Sequence, residues 1–341
     1  MATATKTARE RVMALFARER QTPVPVFSGM GNVTVYGLED AGIGFAQVHG
    51  DAEAMARAAA SSYERFGYEA VVVPFDLGVE AEAMGRTLNT YASSDGILYP
   101  TVQNKLPATA DNFQVPADLE LRGRIPLVAQ AIRLVKERLG EQVAVGSYVL
   151  GPFTLAGQVL ELDQLLKLAG KDQTQMHVIL ERAGEVAARE AEAYRAAGAD
   201  FVTVREMGAA SDILSPRMFR NLIQPHLKEV FAQVGGPTVL HICGSTQNIV
   251  EMMADCGATA VSVDQKNDLA ASRATLGPEK LLFGNLDPYK VLVQGTPEQV
   301  REAVRNCVAA GADAVWPGCD IWPTVPAENM QAMMDASREQ A

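Results

Sequence analysis

The sequence has few cysteines and a deficit of positive charge. Four cysteines in 341 residues are too few for a disulfide framework in a chain of this length. Thirty lysines and arginines stand against forty-one aspartates and glutamates, so the formal net charge is −11. Binding of nucleic acid or of an anionic membrane surface needs an excess of basic residues, and both function classes are therefore disfavoured.

Long hydrophobic runs are also missing. The first twenty residues mix charges of both signs with short apolar stretches, which is not the pattern of a signal peptide. No segment reaches the roughly 20 apolar residues that span a bilayer. We therefore expect a cytoplasmic protein.

The composition is that of a globular chain, with 48% hydrophobic and 21% charged residues. No linker rich in proline, glycine or serine divides the sequence. We expect a single domain over residues 1–341, with an N-terminal helical extension and a long loop insertion around residues 77–121.

One local unit recurs along the chain, in which a helical pattern ends at glycine and a β-branched run follows. It occurs at residues 65–75, 196–206, 255–264 and 309–318. Glycine favours the end of a helix, and valine-rich runs suit strands that are buried on both faces. Four further strands are predicted at 23–27, 143–149, 237–242 and 280–284, and helices at 52–66, 123–139, 172–197, 216–234, 246–254 and 297–310.

Eight strands that alternate with helices predict an α/β fold, a closed (β/α)8 TIM barrel. The alternative is an open doubly wound sheet. That alternative is disfavoured because no G-x-G-x-x-G fingerprint follows an early strand.

Polar residues follow the predicted strands, where the loops of a barrel converge on one mouth. They are Ser28, Asn32, Asp76, Arg205, Glu206, His241, Cys243, Asp264, Asn285, Asp287, Cys319 and Asp320.

His241 and Cys243 are two residues apart on one strand, so their side chains point the same way. With Cys319 they form a zinc donor set of the catalytic type, with a fourth position that Asp264 could fill as an exchangeable ligand. The alternative is that these residues only pack in the core, as we expect of Cys256 and Cys307. His49 and His226 are interpreted as ordinary helix or loop residues.

Several segments resemble the uroporphyrinogen decarboxylase superfamily. They are VVVPFDLGVEAEAMG (71–85), VLGPFTLAG (149–157), REMGAASDILSPRMF (205–219), HICG (241–244), FGNLDP (283–288) and PGCD (317–320). HICG followed by PGC resembles the zinc-dependent methylcobamide:thiol methyltransferases within that superfamily, which serve coenzyme M. The arginine-bearing R-Q-A-G-R segment of the decarboxylase branch is replaced here by FSGMGN (27–32).

This resemblance implies that zinc binds His241, Cys243 and Cys319, with Asp264 standing where the family commonly has glutamate. It implies that a methyl group passes from a methylated corrinoid, either methylcobalamin or a methyl-corrinoid protein, to a thiol such as coenzyme M, a reaction of one-carbon metabolism. No catalytic side chain beyond the metal site is needed. Asp76, Glu206 and Asn285 are predicted polar contacts to substrate, and Asp76 falls where the decarboxylase branch keeps its pyrrole-binding aspartate.

The predicted partners are a small thiol and a separate corrinoid protein that docks over the barrel mouth, and the sequence leaves open whether the chain forms a homodimer. Three alternative functions remain. One is a decarboxylase of a porphyrinogen-like substrate. Another is a non-catalytic tetrapyrrole- or corrinoid-binding module with structural zinc. The last is a methyltransferase whose acceptor is homocysteine or tetrahydrofolate.

Overall fold

The computed structural model describes residues 6–339, so residues 1–5 and 340–341, at the two ends of the predicted domain, lie outside the described residues. Within this range the main feature is a parallel sheet of seven strands, whose order around the sheet follows their order in the chain. A two-stranded antiparallel hairpin lies apart from it. The strands are β1 (Ala70–Val73), β2 (Leu88–Asn89), β3 (Thr101–Val102), β4 (Ala144–Leu150), β5 (Phe201–Arg205), β6 (Thr238–Ile242), β7 (Ala260–Val263), β8 (Leu281–Leu286) and β9 (Ala314–Pro317).

The strand predicted at residues 23–27 is reduced to a single bridge, in which Val26 pairs with Val315 of β9. The Val315 N–H donates to the Pro25 carbonyl at 2.9 Å, and the Glu69 N–H, next to β1, donates to the Val26 carbonyl at 3.0 Å. Pro25, like the proline two residues before it, has no N–H with which to extend the ladder. This short segment nevertheless joins β9 to β1 and closes the ring, which confirms the barrel and excludes the open sheet.

Helices connect successive strands and cover the outside of the barrel. The α-helices of the described part are α1 (Ala8–Phe16), α2 (Val35–Ala41), α3 (Ala52–Phe66), α4 (Val79–Ala83), α5 (Ile125–Leu139), α6 (Pro152–Val159), α7 (Leu162–Lys171), α8 (Gln173–Ala196), α9 (Pro216–Met218), α10 (Gln224–Gln233), α11 (Val250–Ala254), α12 (Leu269–Leu276), α13 (Pro297–Ala309) and α14 (Ala327–Arg338). No helix within residues 6–339 is both long enough and apolar enough to cross a membrane.

The helix predicted at 216–234 is not continuous. A π-helical segment, Phe219–Ile223, separates α9 from α10. Pro225 lies in the first turn of α10 and has no N–H to donate to the preceding turn, so regular α-helical hydrogen bonding is interrupted there.

Helix α1 packs against the strand residues at the N-terminal end of the barrel. The ring centroid of Phe16 lies 5.4 Å from that of Phe201 and 6.0 Å from that of Phe27. Phe27 in turn lies 5.2 Å from Trp316, and all four rings belong to one buried cluster. The N-terminal end is thereby filled, and the C-terminal end is left for the polar strand ends.

Residues 77–121 connect β1 to the helix that precedes β4. They contain α4, the β2–β3 hairpin and two short 3-10 helices, Ala110–Asn112 and Leu119–Leu121. The Tyr148 hydroxyl of β4 donates to the Asp76 carbonyl at 2.8 Å, which fixes the start of this excursion at the C-terminal end of the sheet.

Candidate metal centre

Three side chains with nitrogen or sulfur donors meet at the C-terminal ends of β6 and β9. His241 Nε2 lies 2.9 Å from Cys243 Sγ, and Cys243 Sγ lies 2.8 Å from Cys319 Sγ. Ligand atoms of all three residues lie within 4.8 Å of one another, and residues 6–339 contain no other such group of three or more histidines, cysteines or acids. The structure therefore brings together the three residues that the sequence selected, called the His–Cys–Cys cluster below.

The local backbone explains this meeting. His241 lies in β6 and Cys243 follows two residues later, while the intervening Ile242 is fully buried in the core. Cys319 comes from the loop after β9, where Gly318 lies against the loop after β7. A Cβ at position 318 would stand 2.5 Å from the backbone nitrogen of Gln265, so this close approach requires glycine.

The His241 imidazole is held by its neighbours on adjacent strands. Its Nδ1 lies 2.9 Å from Ser262 Oγ, and the two residues are in register across β6 and β7. Burial, together with the positive charge of Arg205, lowers the pKa of His241 to about 3. The ring is thus neutral at physiological pH, which is the state that binds a metal.

The two sulfurs of the cluster have an unfavourable environment for charge. The hydrogen bond with Cys319, together with burial, raises the pKa of the Cys243 thiol well above its ordinary value. Two thiolates at this separation repel each other, so ionisation of both sulfurs needs a compensating cation. A divalent metal ion supplies that charge, and thiols that coordinate a metal are deprotonated.

Asp264, the predicted fourth ligand, lies beside the cluster and is engaged elsewhere. Its Oδ2 accepts from the Gly244 N–H and its Oδ1 from the Lys266 N–H, both at 2.8 Å. Asn285 supports the same loop, because its Nδ2 donates to the Asp264 carbonyl at 3.0 Å. Asp264 is not in the group whose ligand atoms lie within 4.8 Å, and its ligation stays a prediction.

A cavity of about 870 Å³ opens above Cys319 at the barrel mouth. One wall comes from the 77–121 insertion, and the opposite wall follows Cys319. Most of the lining surface is apolar. Among the lining residues are Phe75, Asp76, Leu77, Ile97, Tyr99, Val102, Lys105, Arg205, Cys319, Asp320, Ile321 and Trp322.

Asp76 lines this cavity, but neither of its oxygens is free. Arg124 donates to both oxygens at 2.7 and 2.9 Å, the Gly78 N–H donates to Oδ1 at 2.9 Å, and His49 Nδ1 lies 3.0 Å from Oδ2. Burial alone would raise the pKa of Asp76, but the hydrogen bonds of His49 and Arg124 outweigh it and hold the pKa well below its usual range. The sequence indicates neither partner, since His49 is interpreted as an ordinary helix or loop residue and Arg124 belongs to no motif.

Glu206 is fully buried, and its carboxylate caps α6 from the end of the neighbouring strand. Its oxygens accept from the Phe153 N–H at 2.9 Å, the Thr154 N–H at 2.7 Å and the Thr154 hydroxyl at 2.6 Å. Gly151 leaves room for this, because a Cβ there would lie 2.6 Å from Glu206 Oε2. Burial raises the pKa of Glu206 to about 7 despite these donors. Of the three predicted substrate contacts, only Asp76 lines the cavity.

Arg205 and Asp320 form an ion pair on the cavity floor. Arg205 Nη2 donates to Asp320 Oδ2 at 2.5 Å, and the guanidinium carbon stands 4.7 Å from the ring centroid of Tyr148. Asp320 Oδ2 also lies 3.8 Å from Cys319 Sγ. The sequence places both residues at strand ends but does not show that they pair next to the cluster.

Comparison with known proteins agrees with this geometry. The family model "Uroporphyrinogen decarboxylase (URO-D)" matches residues 7–340. A methylcobamide:CoM methyltransferase, MtaA, from Methanosarcina barkeri is 33% identical over 335 residues, which cover 98% of both chains. A uroporphyrinogen decarboxylase from Rhodococcus erythropolis is 28% identical over 286 residues, which cover 82% of this chain and 78% of the relative.

Among solved structures, a methyltransferase from Methanosarcina mazei superimposes with a TM-score of 0.93 at 31% sequence identity. The match covers 98% of this chain and 99% of the other. The similarity thus extends over the whole barrel, including the mouth.

Proposed function

The chain belongs to the uroporphyrinogen decarboxylase family, and we propose that within this family it is a methyltransferase that moves a methyl group from a methylated corrinoid to a thiol. Relatives that match 98% of the chain are named methylcobamide:CoM methyltransferase and methylated-thiol–coenzyme M methyltransferase. The observation that carries the proposal is the His–Cys–Cys cluster, which opens through Cys319 onto the cavity.

The metal assigned to the cluster is zinc, because two cysteines and one histidine are a zinc donor set. Three protein ligands leave a further coordination position, as in catalytic zinc sites. Cys319 lines the cavity, so a thiol that enters the cavity reaches the cluster. Asp264 would serve as the displaceable ligand only after its carboxylate leaves the backbone N–H groups of Gly244 and Lys266.

Zinc, when bound, lowers the pKa of a coordinated thiol so that the acceptor is a thiolate at neutral pH. The acceptor sulfur attacks the methyl carbon of the donor. The sulfur–carbon bond forms as the carbon–cobalt bond breaks, and the electron pair of that bond stays on cobalt. The chain supplies no nucleophile of its own. Ser262 orients the His241 ring.

The methyl donor is assigned to the rim of the cavity, on a separate corrinoid protein. Trp322 lines the cavity with 51% of its surface exposed, and its ring centroid lies 5.1 Å from that of Tyr289, which is 42% exposed. Exposed aromatic side chains at the edge of a pocket are typical of surfaces that bind a partner. The reacting methyl group would thus enter the cavity from above, opposite the cluster.

The decarboxylase alternative is disfavoured by Asp76. A carboxylate offers about four hydrogen-bonding positions, and all four are used by Arg124, His49 and the Gly78 N–H. Binding pyrrole N–H groups there would require the buried ion pair with Arg124 to break, which is strongly unfavourable. Asp76 is therefore assigned a structural role at the base of the insertion.

The test is loss of the methylcobalamin absorption spectrum when the purified, zinc-loaded protein is mixed with a panel of thiols. We expect thiol-dependent loss of the spectrum in the native protein and in Cys256→Ser, whose buried cysteine lies outside the cluster. We expect none in Cys319→Ser. Activity with tetrahydrofolate but with no thiol would contradict the proposal, and so would a zinc-loaded protein that is inert with every acceptor.

A further inference from the structure

Two histidine rings meet on the outside of the barrel, between α8 and α10. His177 Nδ1 lies 2.9 Å from His226 Nε2, and the ring centroids are 5.2 Å apart. His226 lies in the first turn of α10 with 8% of its side chain exposed, whereas His177 on α8 is partly exposed. The pair belongs neither to the His–Cys–Cys cluster nor to its cavity, and solvent reaches it from the side of His177.

The second ring nitrogen of His226 has no hydrogen-bond partner among the described residues. This Nδ1 atom is buried, and Glu229 Oε2 stands 3.4 Å from it. A histidine that binds a metal through one nitrogen commonly points its other N–H group at a carboxylate, which fixes the tautomer. Burial lowers the pKa of His226 and thus favours the neutral ring. With its proton on Nδ1, His226 has a free electron pair on Nε2, the nitrogen that faces His177.

Glu181 stands beside the pair as a third donor. It lies one turn after His177 on the same face of α8, and its negative charge acts on His226. Its carboxylate does not form a compact group of three donor atoms with the two rings, so a rotamer change of this exposed side chain completes the set. Lys228, the nearest cation along α10, is held by Asp255 at 2.7 Å. A cation that approaches from solvent therefore meets two ring nitrogens and a carboxylate.

We propose that His177 and His226 bind a zinc ion on the outside of the barrel, with Glu181 as the third ligand and water in the remaining position. Imidazole and carboxylate groups are ligands that zinc takes in proteins. At zinc–nitrogen distances of about 2.0–2.1 Å, two ligand nitrogens of a tetrahedral site stand about 3.3 Å apart, so the rings need to separate by only a few tenths of an ångström. The proton between the rings moves to the outer nitrogen of His177, and the neutral pair binds the ion without a net gain or loss of protons.

The ion would cross-link two helices that follow each other around the barrel. Helix α10 begins directly after the π-helical segment Phe219–Ile223, where regular hydrogen bonding is interrupted. Such segments occur frequently at functional sites. Zinc on His226 would hold the start of α10 against α8. This inference is independent of the proposed function, because it uses no residue of the barrel mouth.

Equilibrium dialysis against Zn²⁺ alone, with metal content measured by mass spectrometry, tests the site. At micromolar free zinc the native protein should hold about one zinc per chain more than His177→Ala, because the variant lacks one of the two ring nitrogens. Glu181→Gln should bind this additional zinc several-fold more weakly. The matched variant Glu185→Gln, one turn further along α8 and paired with Arg189, should bind it as the native protein does. Equal zinc content in the native protein and His177→Ala would overturn the proposal.

Imidazole NMR signals give a second measurement that does not depend on a variant that folds. The chain has four histidines, so their ring signals can be assigned individually. Zinc added to protein whose His–Cys–Cys cluster is already filled should shift the signals of His177 and His226. The signals of His49, which is held by Asp76, should not move. Absence of a shift at His177 and His226 would overturn the proposal.

Stability and activity separate this site from the one at the mouth. Micromolar zinc should raise the urea midpoint of protein with a filled His–Cys–Cys cluster and should not raise that of His177→Ala, since only the native pair binds the added ion. An equal rise in both proteins would contradict a cross-link between α8 and α10. His177→Ala should keep the native rate of thiol-dependent methyl transfer. A native protein that binds the additional zinc but transfers no methyl group would refute the reaction and leave the outer site standing.

Discussion

At the scale of single residues, the four cysteines divide into two environments. Cys243 and Cys319 are partly exposed and face each other across two strand ends, whereas Cys256 and Cys307 are buried among helix and strand residues. The first pair has the geometry of ligands, and the second pair packs as small apolar side chains.

We expect the zinc content of the protein to depend on Cys319 and not on Cys256. Protein purified without added metal should contain about one zinc per chain, because three soft or borderline donors converge. Cys319→Ser should lose most of it, since the hydroxyl is a poor zinc ligand, and the matched variant Cys256→Ser should retain it. Mass spectrometry of the metal provides the measurement. Equal zinc content in the two variants would show that the metal is bound elsewhere.

The buried carboxylate of Asp76 should make stability depend on pH in the acid range. Its folded pKa lies below the unfolded value of about 3.9, so its contribution is present at neutral pH and is lost as the pH falls through the folded pKa. Asp76→Asn should cost about 3 kcal/mol at pH 7, because the two buried Arg124 nitrogens that donate to Asp76 lose their charged acceptor, while only the pair of Arg124 with Glu82 remains.

Urea unfolding at pH 7 and pH 3 measures this effect. The difference in free energy of unfolding between the native protein and Asp76→Asn should be smaller at pH 3 than at pH 7. Asp163→Asn, in an exposed pair with Lys167, is the control and should change little. A gap that stays constant with pH would contradict the assignment of a charged Asp76.

The His–Cys–Cys cluster could be predicted from sequence, whereas the network around Asp76 could not. Alternation along a strand places His241 and Cys243 on one side, and barrel topology brings the end of β9 to the same mouth. Arg124 and His49 reach Asp76 from other elements, 48 and 27 residues away along the chain. No local pattern encodes such a contact.

At the level of secondary structure, valine-rich runs predict strands correctly where the strands are buried on both faces. The run at 23–27 contains two prolines, which lack the N–H group that ladder hydrogen bonds need, so most of this run lies outside the sheet. The helix predicted at 216–234 has the apolar periodicity of a single helix, but a π-helical segment just before Pro225 interrupts it. Periodicity reports which face is buried, but it does not report every missing N–H donor.

Helix α6 depends on a cap that comes from another strand. The helix has no side-chain cap of its own, and the Glu206 carboxylate takes that role. Because burial raises the folded pKa of Glu206 to about 7, above the unfolded value of about 4.3, its favourable contribution is complete below pH 4 and declines as the pH rises through 7.

Glu206→Gln cannot ionise, so this side chain should not lower the free energy of unfolding of the variant as the pH rises. The native protein should lose stability between pH 5 and about pH 8, and the variant should therefore become more stable relative to it. Urea unfolding across that range provides the test. Glu206→Ala should be less stable than Glu206→Gln throughout, because Phe153 and Thr154 lose their acceptor. If the difference in free energy of unfolding between the native protein and Glu206→Gln did not change with pH, the raised pKa of Glu206 would be contradicted.

At the scale of the whole molecule, the barrel is filled at one end by α1 and its aromatic cluster and carries its cavity at the other. The cavity is large for a small thiol, and its apolar walls and exposed rim leave space for part of a second, larger substrate. This division of the mouth into a polar floor and an apolar rim is what the two-substrate reaction needs.

Removal of the aromatic rim should affect the methyl donor and spare the acceptor. Trp322→Ala should lower kcat/KM for the methylated corrinoid about tenfold, since exposed tryptophans at interfaces often contribute 1–2 kcal/mol or more, and should leave the KM of the thiol unchanged. Leu162→Ala, an exposed apolar residue on α7, is the control. Steady-state kinetics with each substrate varied in turn would show the effect, and a changed thiol KM alone would contradict it.

Binding of a thiol acceptor to zinc at the His–Cys–Cys cluster can be measured by X-ray absorption at the zinc edge. The zinc-loaded protein should show two sulfur ligands at about 2.3 Å together with nitrogen or oxygen ligands. Addition of the thiol acceptor should increase the sulfur count to three. A sulfur count that does not change with thiol, or a closed site with four protein ligands, would show that the acceptor does not bind to the metal.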